Sequence, residues 1–347
     1  MRIKQTHSGA GRGQGELVLL AEIRRRAARA ASLDRKGGLR LGIGDDCALL
    51  TPRAGEELAV TTDLSIDGRH FRLDWHQPEA IGHRVLARGL SDLAAMGARP
   101  VAAFLSLGLP RSLAVAAGRR PTWVQRFLDG ILALAASHNT PLAGGDLAES
   151  PVAVADIVLV GAVPRGRALL RSGAKPGDLL YVTGVLGGAA TGLARLAELA
   201  SSAGSNPLRI PKRLETLLAP HLYPQPRIAQ GLWLQRRGLA SAALDLSDGL
   251  STDLAHLCEE SGVAAEVDAA ALPIHPAASI DQALHGGEDY ELLFTAPPAA
   301  RLPRAIAGVP MTCIGRILKA RARRSTMTLI SPQGAKPLKA CGWEHFC

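Results

Sequence analysis

Six short stretches set an acidic side chain beside glycine, serine or threonine: Gly44-Asp45-Asp46, Thr61-Thr62-Asp63, Ser91-Asp92, Gly144-Gly145-Asp146, Asp245-Leu246-Ser247-Asp248 and Gly286-Gly287-Glu288-Asp289. Small neighbours leave carboxylate oxygens unshielded, and hard divalent cations bind oxygens of this kind. Carboxylates held within a few ångströms of one another repel or take up protons unless a cation offsets them. The chain as a whole is basic, with formal net charge +9, so solubility does not call for these acids. If the fold brings them together, a divalent metal such as Mg²⁺ is expected there.

The elements that must position them can be read coarsely. Residues 16–30 form an amphipathic helix, 58–62 a short strand whose end delivers Asp63, and 78–96 a second helix. On that helix, at ~100° per residue, Ile81, Val85 and Met96 fall within ~40° of Asp92, whereas His83 and Arg84 point elsewhere. A carboxylate along an apolar stripe is costly unless paired, and Arg88, one turn earlier, offers an i,i+4 ion pair as the alternative to a metal. Strands follow at 101–107 and 152–163 around a helix at 122–137, with Gly144-Gly145-Asp146 as a turn. The stretch 164–178 reads as a domain junction. Beyond it come strands at 179–183, 242–246, 264–268, 290–296 and 311–315, with helices from about 189, 226–237 and 249–260. This order implies a mixed α/β (α+β) protein in two domains.

Two further motifs have competing readings. Gly187-Gly188 after a strand suits a phosphate cradle at a helix N-terminus, or simple packing. Asp245, Ser247 and Asp248 lie at a strand's C-terminal end, where ligands bind in α/β folds, but Ser247 or Asp248 also suits the N-cap of the next helix. No G-x-x-x-x-G-K-[ST], kinase catalytic loop, G-x-S-x-G or H-E-x-x-H occurs.

With 347 residues, 47% hydrophobic and 20% charged, the chain can bury a large core. Its apolar runs, 17–23 and 152–163, do not reach a membrane span of ~20 residues, and the N-terminus lacks a signal-peptide pattern, so a cytoplasmic location is expected. The five cysteines, Cys47, Cys258, Cys313, Cys341 and Cys347, lack C-x-x-C spacing and suggest neither a disulfide framework nor a zinc site. Basic runs are short and separate, and aromatics are only 3%, which argues against nucleic-acid binding; a basic rim that attracts polyanions such as ATP accounts for the charge equally well.

The segments GIGDDCALL (42–50), TTD (61–63) with His70-Phe71 after it, LSDLAAMGA (90–98), GGD (144–146), GRALLRSGAKPGD (166–178), DLSDGL (245–250) and GGEDYEL (286–292) resemble, in order, the motifs of bacterial thiamine-monophosphate kinases. The likeness runs from Gly15-Glu16 to the GWEHF segment at 342–346. It implies the aminoimidazole-ribonucleotide-synthetase-like fold: an N-terminal α/β domain forming a β-barrel across a homodimer, and a C-terminal α/β domain. The corresponding divisions are a basic extension (1–14), a dimerisation and metal/ATP-binding domain (15–164), and an ATP- and substrate-binding domain (165–347).

The resemblance also implies a reaction in thiamine biosynthesis, transfer of the γ-phosphoryl group of ATP to thiamine monophosphate. It implies Mg²⁺ ligands at Asp46, Thr61, Thr62, Asp63, Asp92, Asp146, Asp245 and Asp248, with Asp63, Asp92 and Asp248 central to catalysis. ATP contacts follow at Gly145, Asp146, Arg171 and Ser247, and thiamine phosphate contacts at His70, Glu288 and Trp343. Asp45 and Asp289 receive no role. Thr61 stands where the family often has Ser, and Leu17 where Phe is usual. A hydrogenase-maturation enzyme of the same superfamily also ends in Cys, but the GWEHF context favours the kinase, and a selenophosphate synthetase would want a Cys in 9–15.

Overall fold

The computed structural model describes residues 16–31, 38–114, 121–203, 208–320 and 326–344; the basic extension and Cys347 lie outside them. The N-terminal half comprises α1 (Glu16–Ala31), β1 (Leu39–Leu41), β2 (Leu49–Leu50), β3 (Glu56–Ile66), α2 (Pro78–Ala95), β4 (Arg99–Leu109), α3 (Arg111–Ala114), α4 (Trp123–Ser137), β5 (Leu142–Glu149) and β6 (Val154–Pro164). The C-terminal half follows with β7 (Leu179–Thr183), α5 (Gly188–Ala203), α6 (Glu215–Leu222), α7 (Ile228–Arg237), β8 (Ala242–Asp245), α8 (Leu250–Ser261), β9 (Val263–Asp268), α9 (Ile280–His285), β10 (Leu292–Ala296), β11 (Ala305–Ile306), β12 (Val309–Lys319), β13 (Met327–Ser331) and β14 (Gly334–Pro337). The mixed α/β expectation is met: one half carries a four-stranded sheet ordered β3-β6-β4-β5, the other a larger sheet ordered β14-β13-β9-β12-β7-β10-β8, with β11 on β12.

The four-stranded sheet is two-faced because its strands alternate. Ala59, Thr61, Asp63 and Ser65 of β3 point inward, opposite Leu159 and Ile157 of β6, toward the core that α2 and α4 close. Leu58, Val60, Thr62 and Leu64 point outward and are exposed, Val60 by 62%. The β1-β2 hairpin covers part of that outer face near Val101, Ala102, Ala143 and Ala162. Among the described residues the sheet is open and does not close into a barrel.

Two local readings are corrected. Asp63 lies mid-strand, since β3 continues to Ile66. The Gly144-Gly145-Asp146 segment is not a turn but the middle of β5, parallel to β4. Glycine misled there because it usually weakens strands; here a Cβ on Gly145, at φ +142°, would stand 1.8 Å from the Leu105 carbonyl oxygen, so the position serves close approach of two strands.

The α4 N-terminus follows its sequence signal. Thr122 Oγ1 accepts from Gln125 N at 3.1 Å and Gln125 Oε1 accepts from Thr122 N at 2.8 Å, a reciprocal cap. Helix α2 is the centre of the molecule. It packs on α4 and α7 and against β3, β6 and β8, and all but three of its eighteen residues are buried. The main core therefore runs from the N-terminal half into Ile228, Leu234, Ala243 and Phe294 of the C-terminal half. No helix among the described residues is long and apolar enough to cross a membrane.

Candidate active site

A cavity of about 840 Å³ lies between the two halves, and α2 forms its floor. Arg88 and Asp92 of α2 line it, and Arg84, one turn earlier, meets the cavity-lining Glu288; at 1.5 Å per residue the three span roughly 12 Å.

At the Asp92 end, acids gather. Asp63 arrives from β3, Asp245 from the end of β8 and Asp248 from the turn into α8, and all line the cavity with Ser247. Thr61 Oγ1 donates to Asp92 Oδ2, and Ser91 Oγ donates to Asp245 Oδ2 at 2.7 Å. Burial, and then the Asp245 charge, push the Asp92 carboxyl up to about 7. Burial likewise pushes Asp245 up to about 7, against the Ser91 hydrogen bond, with Asp253 and Asp63 adding repulsion. These acids face one another without enough cation between them. Arg171 acts favourably on both from a distance. All-oxygen donors of this kind fit a hard divalent ion, although among the described residues no group of three or more His, Cys, Asp or Glu side chains is arranged to hold a metal by itself.

The ion pair open to Asp92 in the sequence is made elsewhere. Arg88 turns to Asp63, donating from Nε and Nη2 to Oδ1 at 3.1 and 3.0 Å. Strand β3 brings Asp63 over the helix, a tertiary contact that an i,i+4 argument cannot see.

The alternatives for the C-terminal motifs are also decided. The N-cap position of α8 falls on Gly249, just beyond Ser247 and Asp248, and carries no side-chain cap. Asp253 reaches back, its Oδ2 accepting from the amides of Asp248 at 3.1 Å and Gly249 at 3.0 Å. The Gly187-Gly188 turn is no phosphate cradle, because Asp289 accepts from the amides of Gly187 at 2.6 Å and Ala189 at 3.1 Å. Asp289 thus acquires a role as the anion at the α5 N-terminus.

The same cavity also has different chemistry: Phe71, Trp75, His76, His221 and Leu193 line it, as does Trp343, whose amide donates to the Asp248 carbonyl at 3.0 Å. Trp343 is 52% exposed, so it lines the cavity from outside the core. His70 Nδ1 accepts from Ile66 N at 3.2 Å, which puts the proton of a neutral ring on Nε2. Glu288 also lines the cavity, with backbone φ at +68°, as does Tyr290, with φ +50°. Burial alone would raise the Glu288 carboxyl, but the Arg84 charge and hydrogen bond outweigh it and hold it below its usual value.

The structure therefore brings together Thr61, Asp63, Asp92, Asp245, Ser247, Asp248, His70, Glu288 and Trp343, with Arg171 in electrostatic reach. It does not bring Asp46, Thr62, Gly145 or Asp146 into this cavity. Thr62 and Asp146 lie on the sheet's outer face, Asp146 opposite Ser106, and Asp46 is exposed in the loop before β2. A one-residue step along β3 is enough to separate Thr61 from Thr62, since strand side chains alternate. Sequence reasoning missed Asp253 and the contacts of Arg84 and Ser91, and it paired Arg88 with Asp92 instead of Asp63. The only signal for Arg84 and Arg88 was their four-residue spacing ahead of Asp92.

Residues 44–164 match the family model for the N-terminal domain of AIR synthase related proteins, and 175–324 match that for the C-terminal domain. The chain is 41% identical over 344 residues to the thiamine-monophosphate kinase of Escherichia coli strain K12, covering 96% of this chain and 98% of that protein. Its fold is similar to the crystal structure of the thiamine-monophosphate kinase from Stenotrophomonas maltophilia K279a, with TM-score 0.75, 40% identity, and 89% of this chain and 95% of that one covered. It is also similar to AaThiL complexed with AMPPCP and TMP, with TM-score 0.71, 28% identity, and 96% and 97% covered. Two matched domains in order, and identity of this level along nearly the whole length, mean that the chain belongs to the thiamine-monophosphate kinase family of AIR synthase related proteins.

Proposed function

We propose that the chain transfers the γ-phosphoryl group of ATP directly, in line, to thiamine monophosphate, yielding thiamine diphosphate. One observation carries this reading. A single cavity joins buried acids short of cation to a half-exposed tryptophan and a held, ionised glutamate.

The acceptor is itself a phosphate whose second pKa is ~6, so near neutral pH its oxygen is already an anionic nucleophile and no general base is needed. The barrier lies in aligning two polyanions. Thr61, Asp63, Asp92, Asp245 and Asp248 would hold Mg²⁺, which when bound neutralises and orients phosphate oxygens. Arg171 and Ser247 are assigned to the ATP phosphates, Arg171 as a bidentate donor. His70 donates from Nε2 to the substrate phosphate. Trp343 stacks on the heteroaromatic part, where a thiazolium cation would add ~0.5–2 kcal/mol. Asp46, Thr62, Gly145 and Asp146 are retained as metal and nucleotide residues on the outer side of the sheet, where the second protomer of a homodimer would pack. We keep the domain division at 164/165 and a cytoplasmic location as parts of the same reading.

The test of function is direct. Purified protein with saturating Mg²⁺, ATP and thiamine monophosphate should form thiamine diphosphate, and none above a control without enzyme would overturn the assignment. The dimer has its own test. An open sheet whose outer face exposes Leu58, Val60 and Leu64 is completed by a second copy, making the barrel. Val60→Asp places a charge at that interface and should shift the sedimentation profile from dimer to monomer at micromolar concentration; an unchanged dimer would place the interface elsewhere.

A further inference from the structure

Arg84 has a side chain only 5% exposed, yet one carboxylate partner. Its guanidinium joins three separate segments. Nη2 donates to Glu288 Oε1 at 2.7 Å and to the His70 carbonyl at 3.1 Å. Nη1 donates to the His221 carbonyl at 2.6 Å and lies 3.0 Å from His221 Nδ1. Behind it, His221 Nε2 meets His76 Nε2 at 3.0 Å, and His76 Nδ1 reaches the Arg72 carbonyl at 3.1 Å.

A guanidinium can only donate, and Nη1 of Arg84 lies 3.0 Å from Nδ1 and 3.3 Å from Nε2 of His221, while His76 Nδ1 faces both the amide and the carbonyl of Arg72 at 3.1 Å. Burial and the Arg84 charge keep both rings neutral, pushing His76 down to about 4 and His221 well below its ordinary value. Neither ring then competes as a cation with Arg84 for Glu288. Oε1 is tied down by Arg84, and Oε2 lies 3.5 Å from His221 Nδ1, with Glu288 itself on the cavity wall. This arrangement holds a non-glycine residue at φ +68°, a conformation that persists only where surroundings impose it.

We infer that Arg84 is a positioning residue for the acceptor substrate: clamped by the His76–His221 pair, it fixes Glu288 with its carboxylate presented to a hydrogen-bond-donating, amino-bearing heterocycle and turned against an anion. The inference rests on Glu288 contacting thiamine monophosphate. Lysine keeps the charge but lacks the planar fork that reaches three acceptors, so Arg84→Lys should raise the KM for thiamine monophosphate by about tenfold, with kcat and the KM for ATP changed by less than about twofold. Calorimetric binding of thiamine monophosphate without ATP should weaken by the same factor. His76→Gln, a milder perturbation of the clamp, should act in the same direction by about threefold and carries the test if Arg84→Lys does not fold. In a Glu288→Gln background, Arg84→Lys should add less than about twofold, because both act through one carboxylate. Multiplicative effects, or a matching rise in the KM for ATP, would overturn the inference. If Glu288→Gln alone leaves the KM for thiamine monophosphate unchanged, the glutamate contact itself fails, and the inference with it.

Discussion

Asp92→Asn should lower kcat by about three orders of magnitude, equivalent to ~4 kcal/mol of transition-state stabilisation, while leaving the folded protein as stable as before or slightly more so. The two halves of this expectation come from one piece of geometry. Asp92 is buried beside Asp245, and both carboxyls are driven upward by burial and mutual charge. Its hydrogen bond from the Thr61 hydroxyl survives the substitution, because an amide oxygen accepts as a carboxylate oxygen does. What is lost is a negative charge that the protein alone does not offset. In the metal-free protein that loss relieves repulsion; with Mg²⁺ and phosphates present, it removes a ligand from the transferring group. The measurement is kcat at saturating Mg²⁺, ATP and thiamine monophosphate, together with thermal unfolding without metal. A rate loss below tenfold would remove Asp92 from the reacting centre, and a large fall in unfolding temperature would make it a structural acid.

Asp92 was legible in the sequence because a helix is a local object: its apolar stripe can be drawn from spacing alone. Arg84 shows the limit of the same method. The wheel turned it away from Asp92, correctly, but only the packing of α6 and the 286–291 segment against α2 brings that second direction onto a cavity-lining glutamate, Glu288. Glycine-acid motifs were legible as a class and not one by one. GGEDYEL contains a cavity-lining carboxylate and, one residue later, a carboxylate that satisfies backbone amides at the start of α5. Nothing local separates Glu288 from Asp289, since both adjoin the same turn. The β5 strand was hidden because its glycines answer to the neighbouring strand β4, about forty residues earlier in the chain. The two-domain α/β architecture needed none of these details, because alternating strand and helix patterns constrain it at every step.

Asp63→Asn should cost a similar share of the rate but move stability in the opposite direction. Asp63 is the ion-pair partner of Arg88, whose Nε and Nη2 both converge on its Oδ1. Burial works against the Arg88 charge, but Tyr290, Asp63 and Glu288 hold it firmly protonated. The side chains of the pair are only about one-fifth exposed, 18% and 20%, so an unpartnered guanidinium there is poorly solvated. Breaking a fully buried pair costs ~3–5 kcal/mol; partial exposure, and the Asn oxygen that still accepts from Arg88, reduce the expected loss to about 1–2 kcal/mol. Urea unfolding of the metal-free proteins should therefore rank Asp92→Asn at or above the parent and Asp63→Asn below it. Adding Arg88→Gln to Asp63→Asn removes the stranded charge and should recover most of the lost stability, with no recovery of kcat, because the metal-directed carboxylate is still missing. If the double variant were no more stable than Asp63→Asn alone, the Arg88 pair would not be the source of the loss. If it regained activity, Asp63 would serve only to anchor Arg88, and the phosphate-transferring acids would reduce to Asp92, Asp245 and Asp248.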